Sequence, residues 1–537
     1  MAAARDDHTS LSYAGERISW TPCGVIADHD LECSTISVPM DQFNASNNHG
    51  GKSFSIPLIR MRGKNATQNL LLNPGGPGGS GVEFVYRRGV QLNTIVGEGF
   101  HLLSFDPRGI NGSRPLASCY ATPDDRRNPN FSPIRGKNVD WDASEAWAWS
   151  SNFVRACADS MGEHGAYLNT PQTAADMNDI LDAVGQEDMY YWGFSYGTLL
   201  GQTYATLFPE RSRRVIIDGV ANQFDWYESP LDREEFEDSD KVLDGFLDEC
   251  IKAGPDNCTL ASLAETKEDL STALTASLND LRDNPVAVYV NNTAYGILDY
   301  WDLRDAIFSA MYRPPSWYEL SANLASLLHG NATPAFLAYG FESPPSNDST
   351  DALYVVSYND GASGAAHWPN DITSTLASVS PILNLSLFSS SEYTFYFSKA
   401  AWSIPRTHSY IPKRGVKTAH PLLILSTTYD PICPLISARS ANDAFEDSRL
   451  IEVKGYGHCS IAVPSMCITR HVRGFLYNGT LPEENVQCEA DGKPYFVKPG
   501  QDGKTKMTAE FDDAEERRIH LAQVEMAAAE GLWPKPW

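Results

Sequence analysis

Residues 189–210, MYYWGFSYGTLLGQTYATLFPE, pass from an apolar, aromatic run to a helical one through Gly193-Phe194-Ser195-Tyr196-Gly197. A strand that becomes a helix so abruptly needs a turn too tight for side chains on either side of the serine, so the paired glycines are expected. Such a turn lifts the serine Oγ above the end of a sheet, at the N-terminus of the next helix. The motif therefore asks for a parallel sheet flanked by helices and makes Ser195 a candidate nucleophile.

The surrounding sequence supplies that sheet. NLLLNPGG, FHLLSFDPRG, RRVIIDGV, PLLILSTTYDP and SRLIEVKGYGH are short apolar runs ending in turns, the pattern of strands buried on both faces. CSTISVPMD and FSIPLIRMRG predict an opening strand meander. TPQTAADMNDILDAVG predicts a helix with Thr170 as N-cap, Pro171 in the first turn and Gly185 just past the end. The strand-helix alternation stops near residue 221 and resumes near 421, with helix-like runs such as DSDKVLDGFLDECIKAG and WYELSANLASLLHG between. Strands on both sides are needed to complete one sheet. The expected organisation is a core of residues 1–220 and 421–500, a helical lid at 221–420 inserted between core strands, and a tail at 501–537 bearing a surface-docked helix.

A serine hydroxyl is a weak nucleophile at neutral pH and needs a base, itself oriented by a carboxylate. Asp430 follows the apolar run LLILSTTY, and His458 lies in the glycine-bracketed loop GYGHC after the next run; these are the candidate orienter and base. The oxyanion formed on attack calls for backbone N–H donors. One is the amide of Tyr196, directly after the serine. The other is expected from the loop NPGGPGGSG, at Gly76 with Gly75 as the near alternative. That loop lacks the Lys-Ser/Thr of a phosphate-binding loop.

A formal charge of −26 argues against nucleic acid or an anionic membrane as partner. The acidic run YESPLDREEFEDSD reads as a solvated helix face, with capture of a cationic substrate as the alternative. Ten cysteines fall in close pairs, Cys23/Cys33, Cys119/Cys157, Cys250/Cys258, Cys433/Cys459 and Cys467/Cys488, without zinc-ligand spacing, so disulfides are expected and no metal or cofactor. Ten N-x-Ser/Thr sequons, at Asn44, Asn65, Asn111, Asn130, Asn257, Asn291, Asn331, Asn347, Asn384 and Asn478, point with the disulfides to a secreted glycoprotein. The opening MAAARDDHTS has no apolar signal-peptide core.

In combination, LLLNPGGPGGSG, FDPRGINGSRP, YYWGFSYGTLLGQTYATLFPERSRRVIIDGV, DPICP and GYGHC resemble the tripeptidyl aminopeptidase and proline iminopeptidase branch of the α/β-hydrolases. SMCITRHVRGFLYNGTLPEENVQC resembles the C-terminal module of its tripeptidyl-aminopeptidase-like members. The resemblance implies the α/β-hydrolase fold, roles for Ser195, Asp430 and His458 as nucleophile, orienter and base, a Cys467–Cys488 pairing, and an exopeptidase acting near a free N-terminus. Family members often carry a small residue such as Thr at the position of Cys433 and Gly at that of Cys459, so these two are either a disulfide beside the site or free thiols. The expected partner is a peptide or small-molecule acyl substrate. An esterase, lactonase or acyl-transfer enzyme on a non-peptide natural product is the alternative, because the same three groups serve many acyl compounds.

Overall fold

The computed structural model describes residues 10–44, 49–126, 138–341, 349–492, 495–496 and 509–529. The first strands are β1 (Thr21–Ile26), β2 (His29–Pro39), β3 (Ser53–Met61), β4 (Gln68–Asn73), β5 (Phe100–Phe105), β6 (Met189–Phe194) and β7 (Ser212–Asp218). After the insertion come β10 (Leu423–Tyr429), β11 (Arg449–Tyr456) and β12 (Val486–Cys488); the intervening β8 (Val286–Asn291) and β9 (Ala294–Leu298) form a separate hairpin. The main sheet runs β1-β2-β3-β5-β4-β6-β7-β10-β11-β12. Pairing is antiparallel from β1 through β3 to β5 and parallel across the rest. This is the expected α/β-hydrolase architecture, with the candidate site at the carboxyl ends of the parallel strands.

Strand alternation divides the core between the two faces of the sheet. Leu71, Tyr191, Val215, Ile217 and Ile424 pack on one side with helices Thr170–Ala183 and Tyr196–Leu207. Leu70, Leu72, Trp192, Ile216 and Leu425 pack on the other with helices Gly81–Val96 and Met466–Asn478. The tail helix Ala514–Ala527 docks on this second face through Ala522 and Met526. Its upstream part, 501–508, lies outside the described residues.

Two local expectations are corrected. The helix before β6 is capped by Asn169, whose side chain accepts the Gln172 amide, while Thr170 is the first helical residue; the Thr170 hydroxyl is engaged by Tyr196 and Asp360, which leaves the cap to Asn169. The insertion between β7 and β10 is not wholly helical, since it contains the β8–β9 hairpin. It also divides in its packing. Helices Ser239–Ala253, Lys267–Asp283, Tyr300–Met311 and Trp317–Leu328 surround an apolar core of their own, whereas Val355, Tyr358, Tyr393 and Tyr396 join the core beneath the sheet.

Four disulfides join Cys23–Cys33, Cys119–Cys157, Cys250–Cys258 and Cys467–Cys488. Cys433 and Cys459 are buried thiols. No helix among the described residues is long and apolar enough to cross a membrane. Asn44, Asn65, Asn111, Asn257, Asn291, Asn331, Asn384 and Asn478 are all exposed; Asn130 and Asn347 lie outside the described residues.

Candidate active site

Ser195 links β6 to helix Tyr196–Leu207 at φ 57° and ψ −129°, a conformation that L-residues adopt only under constraint. The constraint is visible around it. A Cβ on Gly193 would stand 2.4 Å from the Gly197 carbonyl oxygen, and one on Gly197 would stand 2.8 Å from the Asn73 oxygen. The Ser195 amide donates to the Asp218 carbonyl at 3.0 Å, and Thr198 donates its amide and hydroxyl to the Ser195 carbonyl at 2.7 and 2.6 Å. Tyr196 is anchored through its hydroxyl to Thr170, which donates to the buried Asp360 carboxylate. Trp226, from the insertion, donates to the same carboxylate at 2.9 Å.

The loop after β4 lies directly against this turn. At Gly75, φ is +95° and an added Cβ would meet the Phe194 oxygen at 2.4 Å and Ser195 Cβ at 2.8 Å. The Gly75 amide is taken up by Asn73 Oδ1 at 2.9 Å. Gly76 lines the pocket beside Ser195 and Tyr196.

Asp430 and His458 meet at the ends of β10 and β11. His458 Nδ1 is 2.9 Å from Asp430 Oδ1 and 3.0 Å from Oδ2. Asp430 Oδ1 also accepts the amides of Ile432 and Cys433 at 3.0 and 2.9 Å, and Oδ2 that of Cys459 at 2.8 Å. The insertion closes over this pair. Tyr312 receives the His458 amide on its carbonyl at 3.0 Å and sets its ring edge-on to the imidazole at 4.9 Å. Ser239 donates its hydroxyl to the Pro431 carbonyl at 2.6 Å.

Three further groups surround these residues. Asp218, at the end of β7, is fully buried; its carboxylate accepts the Ser460 amide and hydroxyl and, at 3.3 Å, the Trp192 indole. Burial pushes this carboxyl up to about 6, against the opposing effect of its hydrogen bonds. Cys433 lines the pocket with Ser195, and Cys459 packs against Gly219, directly after Asp218. Burial raises both thiols well above their ordinary range, which keeps them protonated and unreactive. Asp430, His458 and Cys459 lie within 4.8 Å of one another, but a carboxylate saturated by amides and a protonated thiol make a poor cation site.

Ser195 opens into a pocket lined by Gly76, Tyr196, Trp226, Asp225, Asp232, Glu234 and Glu235. Glu234 accepts the side chains of Asn222 at 2.9 Å and Ser437 at 2.7 Å. Asp225 accepts the amides of Arg233 and Glu234 at 3.1 and 3.3 Å; burial, with Asp232 and Glu234 nearby, pushes it up to about 6. Asp232 faces the Lys399 ammonium at 3.7 Å, and burial raises it despite that cation. Glu235 is raised well above the usual carboxylate range by burial and then by Asp232 and Glu392. Among the described residues no hydrogen bond ties down its carboxylate.

Residues 388–488 match the family described as TAP-like protein. Serine protease Hip1 of Mycobacterium tuberculosis is 28% identical, over 88% of this chain and 91% of its own. Tripeptidyl aminopeptidase of Streptomyces lividans is 27% identical, over 89% of this chain and 87% of its own. Carboxylesterase B of Mycobacterium tuberculosis is 24% identical, over 88% and 89%. The chain is a serine hydrolase. It resembles the tripeptidyl-aminopeptidase-like members of the α/β-hydrolases.

The hydrolase departs from its sequence reading at the acidic run. Instead of a solvated helix face, residues 229–238 form an irregular link between helices Gln223–Glu228 and Ser239–Ala253. Pro230 falls at its start, where it discourages continuation of the helix. The link folds back under the Asp225 carboxylate and carries Asp232, Glu234 and Glu235 into the pocket. Asp218 was not among the sequence candidates, because an Asp-Gly pair after a strand reads as a turn.

Proposed function

We propose that this serine hydrolase is a secreted aminopeptidase that releases short N-terminal units from peptides, with Ser195 as nucleophile, His458 as base and Asp430 as orienter. The observation that carries the reading is the group of four carboxylates beside Ser195. A free peptide N-terminus is an ammonium ion, and a part-enclosed acidic pocket binds it while seating a nearby carbonyl over the nucleophile. Glu235, without hydrogen-bonding commitments, is the group best placed to pair with it.

His458 accepts the Ser195 proton as Oγ attacks, and Asp430 holds the ring tautomer and balances the imidazolium. The amides of Gly76 and Tyr196 take the oxyanion; the engagement of the Gly75 amide by Asn73 favours Gly76 over its neighbour. His458 then protonates the leaving amine and activates the water that releases the acyl unit. Four disulfides and exposed sequons support export.

Chromogenic amides of one to three residues, with free or acetylated N-termini, test this beside simple esters. Turnover many-fold faster for the free-amine peptides than for their acetylated counterparts is expected. Turnover restricted to esters would assign the site instead to ester or lactone chemistry, the reading to which the carboxylesterase relative belongs.

A further inference from the structure

The β8–β9 hairpin stands apart from the pocket and belongs to no larger sheet. Its inner face is packed: Val288 and Leu298 are buried with Ala332, Ala335 and Phe336, and the Phe336 ring lies 2.9 Å from where a Gly296 Cβ would be. The outer face is bare. Tyr289, Tyr295 and Ile297 are 73%, 63% and 58% exposed, and Tyr289 and Tyr295 are cross-strand partners with ring centroids 6.1 Å apart and planes 31° from parallel. A two-stranded ribbon presenting aromatic side chains to water is an invitation to self-association unless something covers it.

Asn291, the last residue of β8, and the turn residues Asn292 and Thr293 form a sequon exposed at all three positions. Thr293 donates its amide at 2.8 Å and its hydroxyl at 2.7 Å to Asn291 Oδ1. The carbonyl of the Asn291 side chain is thus engaged, while its Nδ2 makes no hydrogen bond among the described residues. Other sequons differ. Asn111 Nδ2 is tied to Ser80 and Asp106, Asn257 Nδ2 to the Ala253 carbonyl, and Asn384 Nδ2 to Ser380. At Asn331 the Thr333 amide donates to Oδ1 at 3.1 Å, but no tyrosine pair adjoins it.

We propose that Asn291 is an N-glycosylation site whose first N-acetylglucosamine lies on the exposed Tyr289–Tyr295 face of the hairpin. A sugar ring offers an apolar face of C–H groups to a flat aromatic surface, and its polar rim stays in water. The glycan comes from a polyprenyl-diphosphate-linked oligosaccharide. Asn291 Nδ2 forms a bond to C1 of the first sugar, the C1–O bond to the diphosphate breaks, the diphosphate leaves with the electron pair, and Nδ2 gives up one proton. The inference rests on the export reading and is independent of the catalytic one.

The test uses the full chain secreted from a eukaryotic host, with occupancy mapped by peptide mass. Tyrosine nitration is then compared in three forms: fully glycosylated, trimmed by an endoglycosidase to one N-acetylglucosamine, and stripped by an amidase that removes the whole glycan. Asn291 is expected to be occupied, and Tyr289 and Tyr295 to be nitrated several-fold more slowly in the first two forms than in the third. The Asn291→Gln protein should match the stripped form. Equal nitration in all three forms would overturn the stacking. An unmodified Asn291 beside occupied Asn65 or Asn478 would overturn the site while leaving export intact; a chain with no glycan at all would remove both.

Discussion

The Asp218 carboxylate accepts the Ser460 amide at 2.6 Å through one oxygen and the Ser460 hydroxyl at 2.7 Å through the other. Its backbone carbonyl accepts the Ser195 amide. One residue therefore fixes both the turn holding the proposed nucleophile and the chain two residues beyond the proposed base. Asp218→Asn is expected to lower kcat by about ten- to a hundred-fold, the worth of a charge-assisted hydrogen bond of about 1.5–3 kcal/mol, with KM unchanged. The sign for stability runs the other way. Burial raises this carboxyl to about 6, so its ionised form opposes folding above that pH, and the neutral variant should melt within a few degrees of the parent at pH 7. A melting temperature that collapses along with kcat would make Asp218 merely structural.

Ser195→Ala removes one hydroxyl at a turn whose backbone the neighbouring glycines and Asp218 already hold. Turnover should fall by about 10⁵-fold or more, and labelling by a fluorophosphonate probe should disappear, while the circular dichroism spectrum is unchanged.

Glu235→Gln removes an ionisable carboxyl from the pocket without changing its shape. The expected result is a loss in kcat/KM of about ten- to a hundred-fold on peptides with a free N-terminus, the value of one charged hydrogen-bonding partner. Acetylated peptides and neutral esters should be unaffected. An equal loss on all substrates would place Glu235 outside amine recognition.

Proton binding in the pocket supplies a pH test. Burial and its acidic neighbours push Asp225 up to about 6, so this group is charged above that pH and neutral below. KM for a free-amine peptide should climb as pH falls from 7 to 5, while KM for a neutral ester stays flat. Parallel behaviour of the two substrates would assign the change to the His458 and Ser195 chemistry alone.

Gly75→Ala tests the fit between the two loops. At φ +95°, with the Phe194 oxygen 2.4 Å away and Ser195 Cβ 2.8 Å away, a methyl group forces backbone to move. A shift of about 1 Å at the reacting atoms costs roughly a hundred-fold in rate, and the melting temperature should fall too. Wild-type activity in this variant would mean that the loop yields freely.

The sheet and the Asp430–His458 pair were legible because their signals are local. Continuous apolar runs mark the buried parallel strands, and a glycine-flanked serine between strand and helix has few other uses. Asp430 and His458 stand at strand ends, where the run itself points to them. The pocket carboxylates were legible only as the less favoured alternative. YESPLDREEFEDSD has the composition of a wet surface, and what turns Asp232, Glu234 and Glu235 inward is the backbone hydrogen bonding of 233 and 234 to Asp225 and the long-range approach of Ser437. Asp218 was hidden for the same reason: its partner Ser460 is 242 residues away in sequence. The β8–β9 hairpin escaped notice because its strands are short and six of their eleven residues are exposed, which blurs the alternation expected of a sheet.

The helices of residues 239–328 close around an apolar core that owes little to the sheet, yet the acidic link at 229–238 precedes them and hangs from β7. Those helices can accordingly vary apart from the sheet except at Ser239 and Tyr312, which bond to the chain beside Asp430 and His458. On the proposed reading, exchanging the rest of them for a relative's would leave the acidic link in place, and with it the preference for a substrate bearing a positive charge.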